Sequence, residues 1–146
     1  MALDTDVKRL SAIPLLAELD VDALRLLAFS AETKILRAGD VLFAKGDISD
    51  GGFVVISGAV AMDSSEAGEA AAQIVGPDSL IGELALISQT QRSATAIARQ
   101  PTVVLAIPRA LFHRVLGEFP GSAARLRSVI ENRLAAFQDG AKKFSV

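Results

Sequence analysis

The chain has 146 residues, of which 51% are hydrophobic, a length and composition that favour one globular domain with a packed core. Its formal net charge is −2 and it contains no cysteine. The charge argues against a nucleic-acid-binding surface, and the missing thiols exclude disulfides, thiolate catalysis and cysteine-based metal sites. No apolar run approaches ~20 residues and the N-terminus lacks the apolar core of a signal peptide, so we expect a soluble, cytoplasmic protein that does not itself enter a membrane.

The N-terminal region predicts two short helices. Leu3, Val7 and Leu10 recur at helical spacing, Pro14 interrupts the pattern, and Asp20 is a suitable N-cap for a second helix. We expect one domain over residues 1–146, divided into N-terminal helices (1–30), a β-roll (31–107), C-terminal helices (108–139) and a tail (140–146).

The middle of the chain predicts an antiparallel all-β unit. Short apolar segments are separated by glycine-containing turns, and a small polar loop over residues 63–69 has the composition of a solvent-facing hairpin tip. Seven or eight short strands at this spacing favour a jelly roll or small barrel, because closure hides the edge strands. The strands are predicted at about 33–38, 41–44, 52–57, 59–63, 71–75, 93–98 and 102–107.

Two helices are predicted after the β unit. Pro108 suits a first helical position, and the apolar face that follows ends near Gly117. The last helix is predicted from about residue 120 to Asp139. Arg133 and Phe137 are four residues apart on it, so they point the same way.

The stretch from residue 80 to 97 is predicted to carry the binding chemistry. Leu80 and Ile81 end a strand, and Gly82 allows a sharp turn into a short helix that begins with Glu83, Leu84 and Ala85. The unpaired N–H groups at a helix start carry a partial positive charge that suits a phosphate.

An arginine follows this helix at a useful distance. Arg92 lies ten residues after Gly82, and its planar fork can hold two phosphate oxygens at once, with the Ser93 hydroxyl beside it. Glu83 would oppose an anion unless it accepts from a neutral group such as a sugar hydroxyl. Taken singly, Glu83 is explained by the helix dipole and Arg92 by a surface position; their joint spacing favours a site.

The motif IGELALISQTQRSATA resembles the phosphate-binding cassette of the cyclic-nucleotide-binding domain family, including its Gly-Glu-Leu-Ala and Arg-Ser-Ala elements at matching spacing. The resemblance implies a β-roll fold. It also implies that backbone N–H groups of Gly82, Leu84 and Ala85 bind the cyclic phosphate, that Glu83 accepts from the ribose 2′-hydroxyl, and that Arg92 neutralises the exocyclic oxygens. Ser93 would bond phosphate or base, and Ala94 completes the motif.

Two further segments resemble the family. The glycine-rich run from Gly46 to Gly58 either shapes turns or places strand backbone against the nucleotide. In the family the last helix covers the base, so the resemblance nominates Phe137 as a stacking lid and Arg133 as a polar contact to the base or to a partner chain. The alternative is that Phe137 is a core residue and Arg133 a solvated charge.

Catalytic motifs have less support. His113 is the only histidine and has no metal-ligand spacing around it, so a structural or surface role is favoured. No nucleophile elbow or phosphate-binding P-loop motif is present, and paired carboxylates have no positive support. We therefore predict a non-enzymatic sensor or regulatory domain without metal or cofactor.

The predicted ligand is cAMP, with cGMP left open because Ser93 could serve guanine. Movement of the C-terminal helix would signal occupancy to an effector protein or to a fused output domain absent from this chain, and the helix could also pair with a copy of itself. A freestanding binder and a piece of a larger protein both remain open. The competing hypothesis is a module of the same fold that binds a protein partner and no ligand.

Overall fold

The computed structural model describes residues 2–64 and 73–144, and the side chains of residues 5–64 and 73–132. Its helices follow the predicted order and flank the β unit at both ends. The helices are α1 (Ala2–Ser11), α2 (Val21–Ser30), α3 (Arg109–Glu118) and α4 (Pro120–Phe144), with single 3-10 turns at Leu16–Glu18 and Leu84–Leu86.

Within residues 2–64 and 73–144, eight strands form two four-stranded antiparallel sheets with the orders β1-β8-β3-β6 and β2-β7-β4-β5. Because these sheets face each other, the predicted jelly roll is confirmed. The strands are β1 (Glu32–Leu36), β2 (Val41–Phe43), β3 (Gly51–Ser57), β4 (Val60–Asp63), β5 (Gln73–Val75), β6 (Leu80–Ile81), β7 (Thr95–Ala98) and β8 (Thr102–Pro108).

The core has two parts because side chains alternate across the strands. On β3, Val54 packs with the helices and Val55 packs inside the roll. The helix-facing part includes the fully buried Phe112 of α3, and the interior part contains Phe53 and Ala96. The N- and C-terminal helices therefore share one apolar layer against the roll.

The first turns of α4 are fixed to the N-terminal helices. The Asp20 N–H donates to Ser122 Oγ at 2.9 Å, and Arg125 Nη2 donates to Asp20 Oδ1 at 2.5 Å. Asp20 is the N-cap of α2 as predicted, but its side chain makes no capping hydrogen bond and serves the contact with Arg125 instead. Leu126, one turn after Ser122 on α4, is buried.

Several boundaries differ from the prediction. Pro108 is the N-cap of α3 because its ψ is extended, so the helix starts one residue later at Arg109. The strand predicted from residue 93 starts at Thr95, since the preceding residues form the loop that holds Arg92. Helix α4 continues through Phe144 and does not end at Asp139, so most of the predicted tail is helical.

The predicted hairpin tip lies mostly outside the described residues, as does the beginning of the strand predicted over 71–75, which is described from Gln73 onward. Among the helices that the structure describes, none combines the length and the apolar character needed to cross a membrane.

Candidate functional site

Gly82 reverses the chain after β6. Its φ is +83°, a region that residues with a Cβ rarely adopt. Glu83 follows in helical conformation and caps the single 3-10 turn Leu84–Leu86, so the predicted short helix is one turn long. The side chain of Leu86 is fully buried, whereas Leu84 is 65% exposed.

The N–H groups of this turn are only partly used within it. The family resemblance assigned the amides of Gly82, Leu84 and Ala85 to the phosphate. Of these, the Ala85 N–H already has a backbone partner, because it donates to Gly82 O at 3.0 Å. The amides at the start of a helical turn have no acceptor inside the turn itself. Those of Gly82 and Leu84 are therefore the better candidates for an anion.

Arg92 is a buried cation whose side chain is held from several sides. The residue is 8% exposed, and its Nη2 donates to Gly51 O at 2.7 Å. The guanidinium carbon lies 4.2 Å from the centroid of the Phe43 ring and 5.6 Å from that of Phe53. Cation–π contacts of this kind attract the guanidinium to the ring faces and fix its plane.

The guanidinium lies directly against the glycine turn. A Cβ placed on Gly82 would be 2.6 Å from Arg92 Nη1, closer than nonbonded atoms approach. The structure thus brings together the two ends of the predicted motif, which are ten residues apart in sequence.

Burial lowers the pKa of the Arg92 guanidinium, because desolvation penalises the charged form. The carboxylates of Asp50 and Asp47 act in the opposite direction, and the positive charge of Arg109 adds to the lowering. Gly51 O, the acceptor of the Nη2 bond, is neutral and does not cancel the charge. An anion bound beside Arg92 would stabilise this desolvated cation.

A cavity of about 340 Å³ opens between the turn and Arg92, within the size range of small-molecule sites. Both Glu83 and Arg92 line it, as the sequence predicted. The residues predicted from the motif that line it are Gly82, Glu83, Leu84, Ala85, Arg92, Ser93 and Ala94.

Sequence reasoning missed five residues of the cavity wall: Phe43, Met62, Ile81, Thr90 and Gln91. Phe43 and Met62 come from β2 and β4, which flank β7 in one sheet. Thr90 and Gln91 lie in the polar loop before Arg92. The only signal for them in the sequence was that they are adjacent to this arginine. Strand alternation could have nominated Phe43 and Met62 only after the pairing of β2 and β4 with β7 was known.

The glycine-rich segment that starts at Gly46 acts as a scaffold for Arg92. The Gly46 N–H donates to Arg92 O at 2.8 Å, and the Arg92 N–H donates to Asp47 O at 2.7 Å. Two residues away along each segment, the Ser49 N–H donates to Thr90 O and the Thr90 N–H donates to Ser49 Oγ. The hydroxyl groups of Ser49 and Thr90 also form a hydrogen bond with each other. Gly46 and Gly58 have φ values of +92° and +91°, which favours the turn-shaping interpretation for these two glycines, whereas Gly51 and Gly52 lie within β3.

The two predicted residues of the last helix are not tested. Arg133 and Phe137 fall within α4, but their side chains lie outside the described residues. Within the described part of the chain, no group of three or more histidine and carboxylate residues is arranged to hold a metal ion.

The fold is a β-roll with flanking helices, and its cavity has the size of a small-molecule site. The family model of the cyclic nucleotide-binding domain matches residues 33–119, more than half of the chain. The chain therefore belongs to the cyclic nucleotide-binding domain family, whose members are regulatory domains.

Relatives resemble this chain over one part of their length. A cAMP-dependent protein kinase regulatory subunit of Yarrowia lipolytica is 33% identical over 116 residues, which are 78% of this chain and 30% of the relative. Lysophospholipase NTE1 of Chaetomium globosum is 30% identical over 113 residues, 76% of this chain and 7% of the enzyme. The chain thus spans less than a third of these curated relatives.

A solved structure matches over nearly its full length. The N-terminal domain of a transcriptional regulator from Streptomyces coelicolor A3(2) has a TM-score of 0.84 and 33% sequence identity, covering 94% of this chain and 97% of that one. The β-roll with flanking helices is therefore shared by a domain of closely similar size.

Proposed function

We propose that this chain is a sensor domain that binds cAMP in the cavity between the Gly82 turn and Arg92. The observation that carries the proposal is the packing of the Arg92 guanidinium against Gly82, with Glu83 lining the same cavity. A buried cation beside backbone amides favours a compact anion, and a carboxylate nearby favours a hydroxyl donor on the same ligand. A ribose 3′,5′-cyclic phosphate offers both groups on one rigid frame.

In this binding mode Arg92 pairs with the exocyclic phosphate oxygens and the amides of Gly82 and Leu84 donate to the phosphate. Glu83 accepts from the ribose 2′-hydroxyl. Ser93 is exposed and lines the cavity, which supports a contact of its hydroxyl with the phosphate or the base. The Yarrowia relative, named for cAMP dependence, supports adenine over guanine as the base.

The occupied state would be reported by α4. Its first turns are held to Asp20 through Ser122 and Arg125, and Leu126 is buried in the helix-facing core. We therefore propose that movement on binding is confined to the part of α4 beyond Leu126, where Arg133 and Phe137 would close over the base. An effector protein, a fused output domain or a second copy of the chain would respond to that movement.

Calorimetry with cAMP, cGMP and 5′-AMP tests the proposal. Wild type should bind cAMP and discriminate against 5′-AMP, whose phosphate is not cyclic. Arg92→Ala should weaken cAMP binding by ~100-fold, since a charge-assisted contact contributes a few kcal/mol. Arg37→Ala is the matched control, because this side chain is 92% exposed and outside the cavity.

Heat changes absent for both cyclic nucleotides in wild type would contradict the proposal and favour the module that binds only a protein partner. An Arg92→Ala affinity equal to that of wild type would instead contradict the phosphate position while leaving nucleotide binding intact.

A further inference from the structure

We propose that Arg109, the first residue of α3, is a positioning residue for the nucleotide site: its guanidinium joins the turn after Gly82 to the segment that holds Arg92. The inference rests on the proposed function for its ligand and on the geometry of the chain for its mechanism. No motif in the sequence pointed to this arginine.

The Arg109 side chain binds carbonyl groups of two separate segments. Its Nη1 donates to Ala85 O at 3.0 Å and to Ser49 O at 3.2 Å, and Nη2 donates to Ser49 O at 3.3 Å. Its backbone N–H donates to Asp50 O at 2.6 Å. The guanidinium of the half-buried Arg109 thus links the turn after Gly82 to residues 49–50, which lead into β3, and we call this link the strut.

The turn needs such an anchor because it is too short to be stable alone. Three residues of 3-10 helix form few internal hydrogen bonds, and these have poor geometry. The buried side chain of Leu86 holds one end of the turn, while Leu84 is mainly in solvent. Fixing Ala85 O orients the peptide planes that precede it, which include the amides proposed to meet the phosphate.

Arg109 is also connected to Arg92 through three consecutive residues. Arg109 binds Ser49 O and Asp50 O, and Arg92 binds Gly51 O. This segment has little freedom to shift, because a Cβ on Gly51 would lie 2.1 Å from Ile107 O at the end of β8. The strut therefore fixes the distance between the amides of the turn and the guanidinium of Arg92.

The two positive charges lie close enough to interact, since Arg109 helps to lower the pKa of Arg92. A bound phosphate would relieve this repulsion. Arg109 would then favour anion binding without touching the ligand.

The experiment compares Arg109→Met and Arg109→Lys with two controls. Arg114→Met removes an exposed arginine from the same helix, and Val115→Ala removes a buried contact of α3 and lowers stability without touching Ala85 O. Three quantities are measured for each protein: amide exchange of residues 82–88 without ligand, the Kd for cAMP, and the unfolding midpoint.

Arg109→Met should speed exchange in residues 82–88 and raise the Kd by about tenfold, the effect of misplacing one charge-assisted contact. Arg109→Lys should recover part of the affinity, because an ammonium keeps the charge but loses the fork. Val115→Ala should lower the unfolding midpoint and leave the Kd within about twofold, since it does not touch the site.

If amide exchange of residues 82–88 is as slow in Arg109→Met as in wild type, Arg109 does not hold the turn, and the inference is overturned regardless of which ligand binds. A rise in Kd that Val115→Ala reproduces at the same loss of stability would also overturn it. A wild-type chain that binds no cyclic nucleotide would overturn the proposed function and the ligand half of this inference, a result separate from the exchange measurement.

Discussion

Arg92 Nη1 occupies the space next to Gly82 that a side chain would need, 2.6 Å from the position of a Cβ. Glycine is therefore favoured at position 82 for two reasons: its φ is +83°, and a Cβ would push the guanidinium of Arg92 out of its place. Gly82 and Arg92 pack against each other, which explains why the spacing between them in the sequence was a useful indicator of the site.

The first prediction is that Gly82→Ala damages both the fold and the site. The positive φ should destabilise the protein by about 1 kcal/mol or more, and the displaced guanidinium should raise the Kd for cAMP at least tenfold. Thermal unfolding and calorimetry measure the two effects. Gly76→Ala is the control, since a Cβ there meets nothing within 4 Å; equal losses in both variants would refute the argument.

The second prediction concerns the ring beneath the arginine. Phe43→Leu keeps an apolar side chain but removes the ring face 4.2 Å from the guanidinium, so the Kd for cAMP should rise about 3- to 10-fold, the range of one cation–π contact. Phe29→Leu provides the comparison because Phe29 is 78% exposed on α2. Calorimetry that finds the two variants equal would show that the ring does not position Arg92.

Local patterns predicted the fold well because each signal was strong and short in range. The alternation of strands and glycine turns predicted a jelly roll or small barrel, and the motif from Gly82 to Ala94 predicted seven residues of the cavity wall. These residues are close in sequence, so their spacing alone limited where they could lie.

The rest of the site depends on contacts between distant parts of the chain. Phe43 reaches Arg92 through the pairing of β2 with β7, and Arg109 reaches Ala85 across 24 positions of sequence. Helical periodicity also could not show that the Asp20 side chain turns away from its own helix to meet Arg125. Such contacts follow from tertiary packing, which no short window of sequence contains.

The third prediction is a change in pH dependence for Arg92→Lys. Burial lowers the pKa of a cation at this position, and a free lysine has a pKa of about 10.4, well below that of arginine. As pH rises through the lowered pKa, the lysine loses its proton and its attraction for phosphate. Calorimetry from neutral to alkaline pH should show affinity falling for the variant and constant for wild type; parallel profiles would contradict the burial argument.

The fourth prediction separates ribose recognition from phosphate recognition. Wild type should bind cAMP about 10-fold or more tightly than 2′-deoxy-cAMP, because a carboxylate that accepts from a hydroxyl contributes about 1.5–3 kcal/mol. In Glu83→Gln this ratio should shrink, since the charged acceptor is gone. Glu118→Gln, at an exposed position on α3, should retain the wild-type ratio. A ratio unaffected by Glu83→Gln would remove this residue from the ribose contact.

The fifth prediction places the moving part of α4. The chain has no cysteine, so introduced cysteines can be labelled uniquely. We would measure distances from a label at Arg37→Cys on the roll to labels at Ala124→Cys, within the anchored turns, and at Asn132→Cys beyond Leu126.

Addition of cAMP should change the distance to position 132 and leave that to position 124 within error, because the contacts of Ser122 and Arg125 with Asp20 hold the start of the helix. An Arg125→Ala background should let position 124 move as well, since it removes one of those contacts. Equal movement at both positions in the parent protein would mean that α4 shifts as a rigid body and that its first turns are not the anchor.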